Sequence, residues 1–374
     1  MKKTLLSLSL LSAMVAPAVA GDITLYGTVD LGLSYVHEKT KDAATERTDS
    51  WSMDSGNSTA SVFGIQGSEN LSDTLTVGFV LEHGFDADTG AKSDADRFFD
   101  QESILYVEGS LGTLAAGRMG VLQSDNGTFG FYSGIVNPFG TGWGEIAGVG
   151  GNIFASLGDR YDNTVAYKTP TMNGLTLYAQ YGMGGDEEGT QENKSNSNRY
   201  SAMGLSFEAE NLQIGFVADW LNKASGHAST LKSDDAYTLN LGANYDFGAA
   251  KVFVGGQYFK GVDDPANIYS VYDEEHSPVA NAKGWGATVG TEVPVAGGSF
   301  KLAGSYLDGE TDNGVNVQDM NAYAVSVGYD YALSKRTSVY TAAGYTYREF
   351  EKRNADSKWS QDQYQVMMGL VHSF

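Results

Sequence analysis

The sequence predicts an all-β chain that crosses a membrane as a closed barrel of sixteen antiparallel strands. Three observations predict it. Apolar side chains recur at every second position, connections alternate between short turns and long polar loops, and the last strand runs to the final residue.

The alternation is clearest in five runs. Ile23, Leu25, Gly27, Val29, Leu31, Leu33 and Tyr35 interleave with Thr24, Tyr26, Thr28 and Asp30, and Leu75, Val77, Phe79 and Leu81 with Thr76, Gly78 and Glu82. Leu175 to Tyr181, Tyr237 to Phe247 and Tyr323 to Tyr331 repeat the pattern. A strand turns successive side chains to opposite faces, so each run has one apolar and one polar face. No stretch carries a helical period. In the last strand, Tyr364, Val366, Met368, Leu370, His372 and Phe374 share one face, and Gln365, Met367, Gly369, Val371 and Ser373 the other. Such a strand in a barrel sets its first face against lipid and its second against a lumen.

The connections supply the count. Short turns fall near 70–73, 110–112, 171–174, 208–211, 248–250, 296–298 and 333–336. Longer polar segments fall at 37–57, 87–98, 120–158, 184–197, 224–234, 262–282, 310–318 and 351–360. Seven turns and eight loops join sixteen strands, an even number that closes the sheet and leaves no edge. A soluble sandwich would need a dry core, and a polar face of Thr, Ser, Asn, Gln and Asp offers none.

Residues 1–20 read as a signal peptide. Lys2 and Lys3 precede an apolar run, Leu5 to Ala16, and Ala18-Val19-Ala20 fits small-residue cleavage, leaving 21–374 as the barrel. The run is well short of the roughly 20 residues a membrane-spanning helix needs. Glycine is abundant (47 residues), and 22 tyrosines with 17 phenylalanines suit strands and interfacial belts. There is no cysteine, hence no disulfide framework and no thiol chemistry. Losing Lys2 and Lys3 takes the net charge from −22 to about −24, the wrong sign for a nucleic-acid partner.

Particular segments resemble the Gram-negative general porins. Ile23-Thr24-Leu25-Tyr26-Gly27-Thr28-Val29-Asp30 is similar to the family's first strand, and Ser61 to Leu71 to its second. Gly112-Thr113-Leu114-Ala115-Ala116-Gly117-Arg118 resembles the fifth strand leading into the constriction loop, and Asn137-Pro138-Phe139-Gly140 a part of that loop. Arg160 to Tyr167 resembles strand six, Gly328 to Thr337 the last periplasmic turn, and Val371-His372-Ser373-Phe374 the end. The resemblance implies a homotrimer in the bacterial outer membrane, among lipid and lipopolysaccharide. Each barrel would hold a water-filled channel for passive diffusion of ions and small hydrophilic solutes, narrowed by an inward-folded third loop. Segment 120–158 is that loop; its aromatics Phe129, Phe131, Tyr132, Phe139, Trp143 and Phe154 suit packing against an inner wall.

In such a pore, acidic groups on the loop face basic groups on the wall, and the field between them filters solutes. The loop candidates are Asp125 and Glu145, with Asp159 at the loop's exit; the wall candidates are Arg118, Arg160 and Lys168. Strand parity would turn Arg118 outward with Leu114, so a local irregularity is expected there. Many relatives carry arginine where this chain has Val62, lysine at Gln66, and arginine within Asp100-Gln101-Glu102. The basic side is thinned while Asp30, Glu82 and Asp219 add inward negative charge, so a cation-preferring pore is expected. Acidic loop runs such as Asp186 to Glu192 and Asp273 to Glu275 suit divalent cations by charge, but none has a calcium-loop spacing and no cofactor is implied.

Two other classes fit these residues less well. A substrate-specific sugar channel needs a run of aromatics along its path, and inward Tyr26 and Tyr178 are too few. A barrel enzyme needs a nucleophile with a base, and none of the five histidines stands in a catalytic motif or zinc spacing.

Overall fold

A computed structural model describes residues 23–41, 45–143, 154–183, 198–223, 235–263, 265, 281–312, 317–352 and 357–374. The expected signal peptide, Glu145 and the acidic runs at 186–192 and 273–275 lie outside the described residues. The strands are β1 (Thr24–Lys41), β2 (Thr45–Ser55), β3 (Val62–Ser72), β4 (Leu75–Gly84), β5 (Glu102–Gly109), β6 (Gly112–Gly120), β7 (Arg160–Lys168), β8 (Leu175–Gly182) and β9 (Arg199–Glu208). They continue with β10 (Leu212–Asn222), β11 (Ala236–Asp246), β12 (Lys251–Val262), β13 (Ala282–Val295), β14 (Gly298–Asp312), β15 (Val317–Ser334), β16 (Thr337–Lys352) and β17 (Ser357–Ser373).

Every neighbouring pair is antiparallel, and β1 pairs with β17 from Thr28 opposite Ser373 to Lys41 opposite Ser360, which closes the sheet. At the seam Phe374 and Gly27 exchange both main-chain hydrogen bonds, at 3.0 and 3.2 Å. The outer half of β1 pairs with β2 and the inner half with β3. β2 and β3 are therefore two halves of one span, and the barrel has sixteen spans. Closure is what the bilayer demands, because an unpaired amide in hydrocarbon costs several kcal/mol.

All seven turns fall where the sequence placed them. Three of the eight loops are shorter than expected. Segments 37–57, 310–318 and 351–360 are largely strand, because β1, β14, β15, β16 and β17 run 15 to 18 residues and β2 pairs with β1 as far as Thr45. Polar sequence concealed them: in Thr45–Ser55 only Trp51 and Met53 are large and apolar, too few to show a period of two, and Thr45 to Asp49 extend past the Tyr35–Trp51 belt.

Burial is inverted relative to a soluble protein. On β11 the apolar Leu241 is 60% exposed while Asn240, its neighbour on the other face, is fully buried. Outward aromatics form two belts. Tyr35 with Trp51, Trp285 with Tyr306, Tyr237 with Tyr258, and Tyr345 with Tyr364 lie toward the loop end. Tyr167, Tyr245, Phe247, Tyr331 and Phe374 lie toward the turn end. Rings with one apolar and one polar side settle at the two membrane surfaces.

The third loop folds inward and lies on the wall. It contains a four-residue helix, α1 (Ser133–Val136), a short element that strand periodicity did not reveal. Tyr132 and Ile135 lie over Gly215 of β10, Val136 over Gly242 and Gly255 of β11 and β12, Pro138 over Gly290 of β13, and Phe139 over Gly328 of β15. A Cβ on Gly290 would stand 2.6 Å from Pro138, and one on Gly328 2.8 Å from Phe139. Glycine is the only residue that leaves room at these points. Farther out, Phe259, Leu307, Met320, Phe350 and Trp359 form a buried apolar patch on the inner face, where only polar residues were expected.

In Gly328→Val the atoms nearest the new Cβ belong to loop side chains, those of Phe139 and Trp143. Overpacking of this kind costs about 1–3 kcal/mol. It is expected to push the third loop toward the pore axis and lower single-channel conductance, while the folded barrel keeps its heat-modifiable electrophoretic mobility.

Candidate functional site

The loop-side opening of the pore is lined by β4 to β7, by residues 85–101 and by the third loop. β6 delivers Arg118. The β6–β7 register shifts between Gly117 and Met119, and Gly117 has φ +141°, a backbone region that side chains avoid. This β-bulge is the irregularity that parity required, and it brings the Arg118 side chain to Asp100 and Asp162. Arg118 Nε donates to the Asp100 carbonyl at 2.7 Å, and Nη1 lies 2.6 Å from Asp162 Oδ1.

Asp162 also binds a residue that sequence reasoning missed. Arg97 Nη2 lies 3.1 Å from Asp162 Oδ2, while Arg97 Nη1 lies 3.0 Å from Asp94. Arg97 comes from the second loop, which straddles the rim: Arg97 turns in, and the next residue, Phe98, stacks on the outward His83 at 4.8 Å. No periodicity marks a loop residue, so the sequence carried no signal for it. Asp100 pins the same loop, accepting from Gly84 N at 2.7 Å, Ser93 Oγ at 2.7 Å and Gln101 Nε2 at 2.5 Å. Burial works against its charge, but these hydrogen bonds outweigh it and hold the carboxyl below its ordinary pKa. The Asp100 contribution to loop docking is therefore present above the ordinary carboxylate range and is lost as pH falls through the depressed value.

Arg160 Nε donates to the Gln101 carbonyl at 2.9 Å. A cavity of about 320 Å³ beside it is lined by Asp94, Asp100, Arg118, Asp159 and Tyr161, among others. Glu82 and Glu102 stand directly opposite each other on β4 and β5, within electrostatic reach of Arg160. Glu82 accepts from Tyr26 Oη at 3.0 Å. Glu102 accepts from Thr128 N at 2.8 Å and Thr128 Oγ1 at 2.9 Å, so it anchors the start of the third loop. Its inward parity with Ile104 was the signal available in the sequence.

Asp125, on the third loop, accepts from the hydroxyl and N–H of Thr141 and remains exposed to the lumen. Enclosure within the barrel pushes its carboxyl up from the ordinary value, against the opposing effects of the Thr141 amide and Arg160. Asp125, Asp159, Arg118 and Arg160 thus come together. Lys168 does not join them: eight residues along β7, about 26 Å at strand rise, it lies over the Phe129 ring at 5.5 Å. Gln66 is exposed and Val62 half-buried, both opposite β1. Asp30 and Asp219 face inward but are buried. Asp30 is filled by three hydrogen-bond donors, and Asp219 accepts from Thr238 and Tyr200. Among the described residues no group of three or more His, Asp or Glu is placed to hold a metal ion.

Asp162→Asn removes the carboxylate that Arg97 and Arg118 share. A unit charge about 10 Å from the ion path in water is worth about 0.4 kcal/mol, opposite in sign for cation and anion, so the ratio of their permeabilities changes roughly fourfold in dilute salt. The substitution is expected to shift the reversal potential in a salt gradient toward chloride, to the extent that a roughly fourfold change in that ratio gives, and by less as ionic strength rises.

The chain matches the profile of the family described as Gram-negative porin over residues 6–351. It is 29% identical to an outer membrane porin protein of Bordetella pertussis, covering 92% of this chain and 94% of that one. It is 28% identical to outer membrane porin protein 32 of Delftia acidovorans, covering 91% and 88%. Among solved structures, an anion-selective porin from Comamonas acidovorans superposes with TM-score 0.68 at 24% identity over 95% of this chain and all of that one. The trimer form of OmpT from Vibrio cholerae gives 0.55 at 15% identity over 94% and 99%. A closed sixteen-span barrel with its third loop folded onto the inner wall, matched along nearly its whole length, places this chain in the Gram-negative porin family, as a non-enzymatic channel of the bacterial outer membrane.

Proposed function

We propose that this channel prefers cations. The observation that carries the reading is the balance of charge at the loop-side opening. Arg97, Arg118 and Arg160 are outnumbered by Glu82, Asp94, Asp100, Glu102, Asp125, Asp159 and Asp162. The arginines are also tied down. Asp162 bridges two of them, and the carbonyls of Asp100 and Gln101 take an Nε–H from Arg118 and Arg160. A guanidinium paired with a carboxylate contributes little net field to a passing ion, so the carboxylates in excess of the arginines set the sign. The Comamonas porin that shares this fold is described as anion-selective. Here the uncharged Val62 and Gln66 and the acidic surplus support the opposite sign.

The working form in this reading is a homotrimer of barrels 21–374, with residues 1–20 removed and the outer rim among lipopolysaccharide. Val62, Gln66, Glu82 and Lys168 line the wall on either side of the opening. The filter lies at Arg118, Asp125, Asp159 and Arg160, with Glu145 added from the loop.

Reversal potentials in a potassium chloride gradient across a planar bilayer test the sign. Potassium preference is expected, and clear chloride preference would refute the reading. The pH dependence follows from Asp125. Because its pKa lies above the ordinary carboxylate value of about 4, it takes up its proton earlier as pH falls. Cation preference is expected to begin declining at a pH above that value. A carboxyl with a raised folded-state pKa gains stability on protonation, so the titration of Asp125 does not itself drive acid unfolding.

A further inference from the structure

The second span is broken, and the break is built. Between Leu31 opposite Ser55 and Thr28 opposite Val62, β1 has two intervening residues, whereas the facing chain has six, residues 56–61. This excursion is held from the inner face. Asp30 is fully buried, and its carboxylate accepts from Ser58 N at 2.7 Å, Thr59 N at 2.9 Å and Tyr340 Oη of β16 at 2.7 Å. The Asp30 main chain binds Ser61 Oγ in both directions at 3.0 Å and accepts from Gly56 N at 3.1 Å. Five hydrogen bonds to the excursion thus converge on one residue. An isolated carboxylate would not be buried without such donors.

The excursion also meets the third loop. A Cβ on Gly142 would overlap the Ser58 carbonyl oxygen, so the far end of the loop rests directly on residue 58. Trp143, the next residue, packs edge-on against Tyr340, the same side chain that donates to Asp30. On the loop side, Gly56 and Asn57 floor a cavity of about 460 Å³ lined by Ser34, Ser50, Ser52, Gln363 and Gln365. Thr59 and Ala60 remain exposed.

We propose that residues 56–61 form a second arm of the constriction, closing with the third loop to bound the aperture, and that Asp30 is its positioning residue. The inference rests on the third loop narrowing the conducting path, and not on which ion the path prefers.

The chain has no cysteine, so single thiols can be placed without background. Thr59→Cys and Ala60→Cys would be labelled in folded trimers with a trimethylammonium methanethiosulfonate and, separately, with an uncharged reagent of similar size. Either adduct is expected to lower single-channel conductance at least about twofold, since side chains lining a pore set its width. The charged adduct alone is also expected to shift the reversal potential toward chloride. Complete labelling by mass with unchanged conductance, or no labelling of the folded barrel at either position, would overturn the proposal. For Asp30, Asn keeps an acceptor for Tyr340 and Ala keeps none. In barrels that retain heat-modifiable mobility, open-channel noise and the rate of labelling at Ala60→Cys are expected to rise from wild type to Asn to Ala. Folded Ala variants with wild-type noise and labelling rate would remove the positioning role. A chloride-preferring pore that is still blocked at Ala60→Cys would refute the cation reading and leave the arm in place.

Discussion

Every feature of this protein depends on the closing ladder between β1 and β17. In hydrocarbon a main-chain amide has no partner except another strand, so the sheet must return to its first strand. The exchange between Gly27 and Phe374 completes that circuit. Once the sheet is closed, period-two alternation acquires two distinct solvents, lipid outside and water inside. That is why Leu241 is exposed and Asn240 buried.

Closure also creates a space that has to be partly filled. The third loop occupies it by contact. A row of wall glycines receives Val136, Pro138 and Phe139, and fully buried aromatics such as Phe129 and Phe154 each bury enough surface to contribute about 1.5–3 kcal/mol. Asn244 adds a hydrogen bond to the Ile135 carbonyl at 2.9 Å, and Gln257 brackets Ala155 with two bonds of 2.8 Å. The loop is thereby fixed to the wall along β10 to β15, while the arginines and carboxylates gather on β4 to β7 and the second loop. Charge there is organised as pairs. Asp162 spends its two oxygens on two arginines from different elements, which sets how much positive field is left for a solute.

The legible part of the fold was the part governed by alternation and turn chemistry. All seven turns and the strand count followed from short-range pattern, because lipid imposes an apolar face on every span it touches. That pressure leaves only a faint mark on Thr45–Ser55, where Trp51 and Met53 alone are large and apolar, and the segment read as a loop although it is paired throughout. In the site, Arg118 was legible as a departure from parity, and the bulge at Gly117 supplied its reason. Arg97 was not legible, since a loop residue has no period to obey. Asp30 looked like a lumenal charge, yet the break in the second span, which no alternation reports, had wrapped donors around it.

The sequence by itself determined the barrel, its span number, its compartment and the inward course of acidic side chains, because these follow from one-dimensional periodicity against two solvents. The tertiary structure alone decided which charges are spent and which are free. That depends on contacts between elements far apart in the chain: Arg97 with Asp162, Glu102 with Thr128, Asp30 with Tyr340. Each is set by where a loop comes to rest, and a loop's resting place is fixed by packing rather than by local pattern.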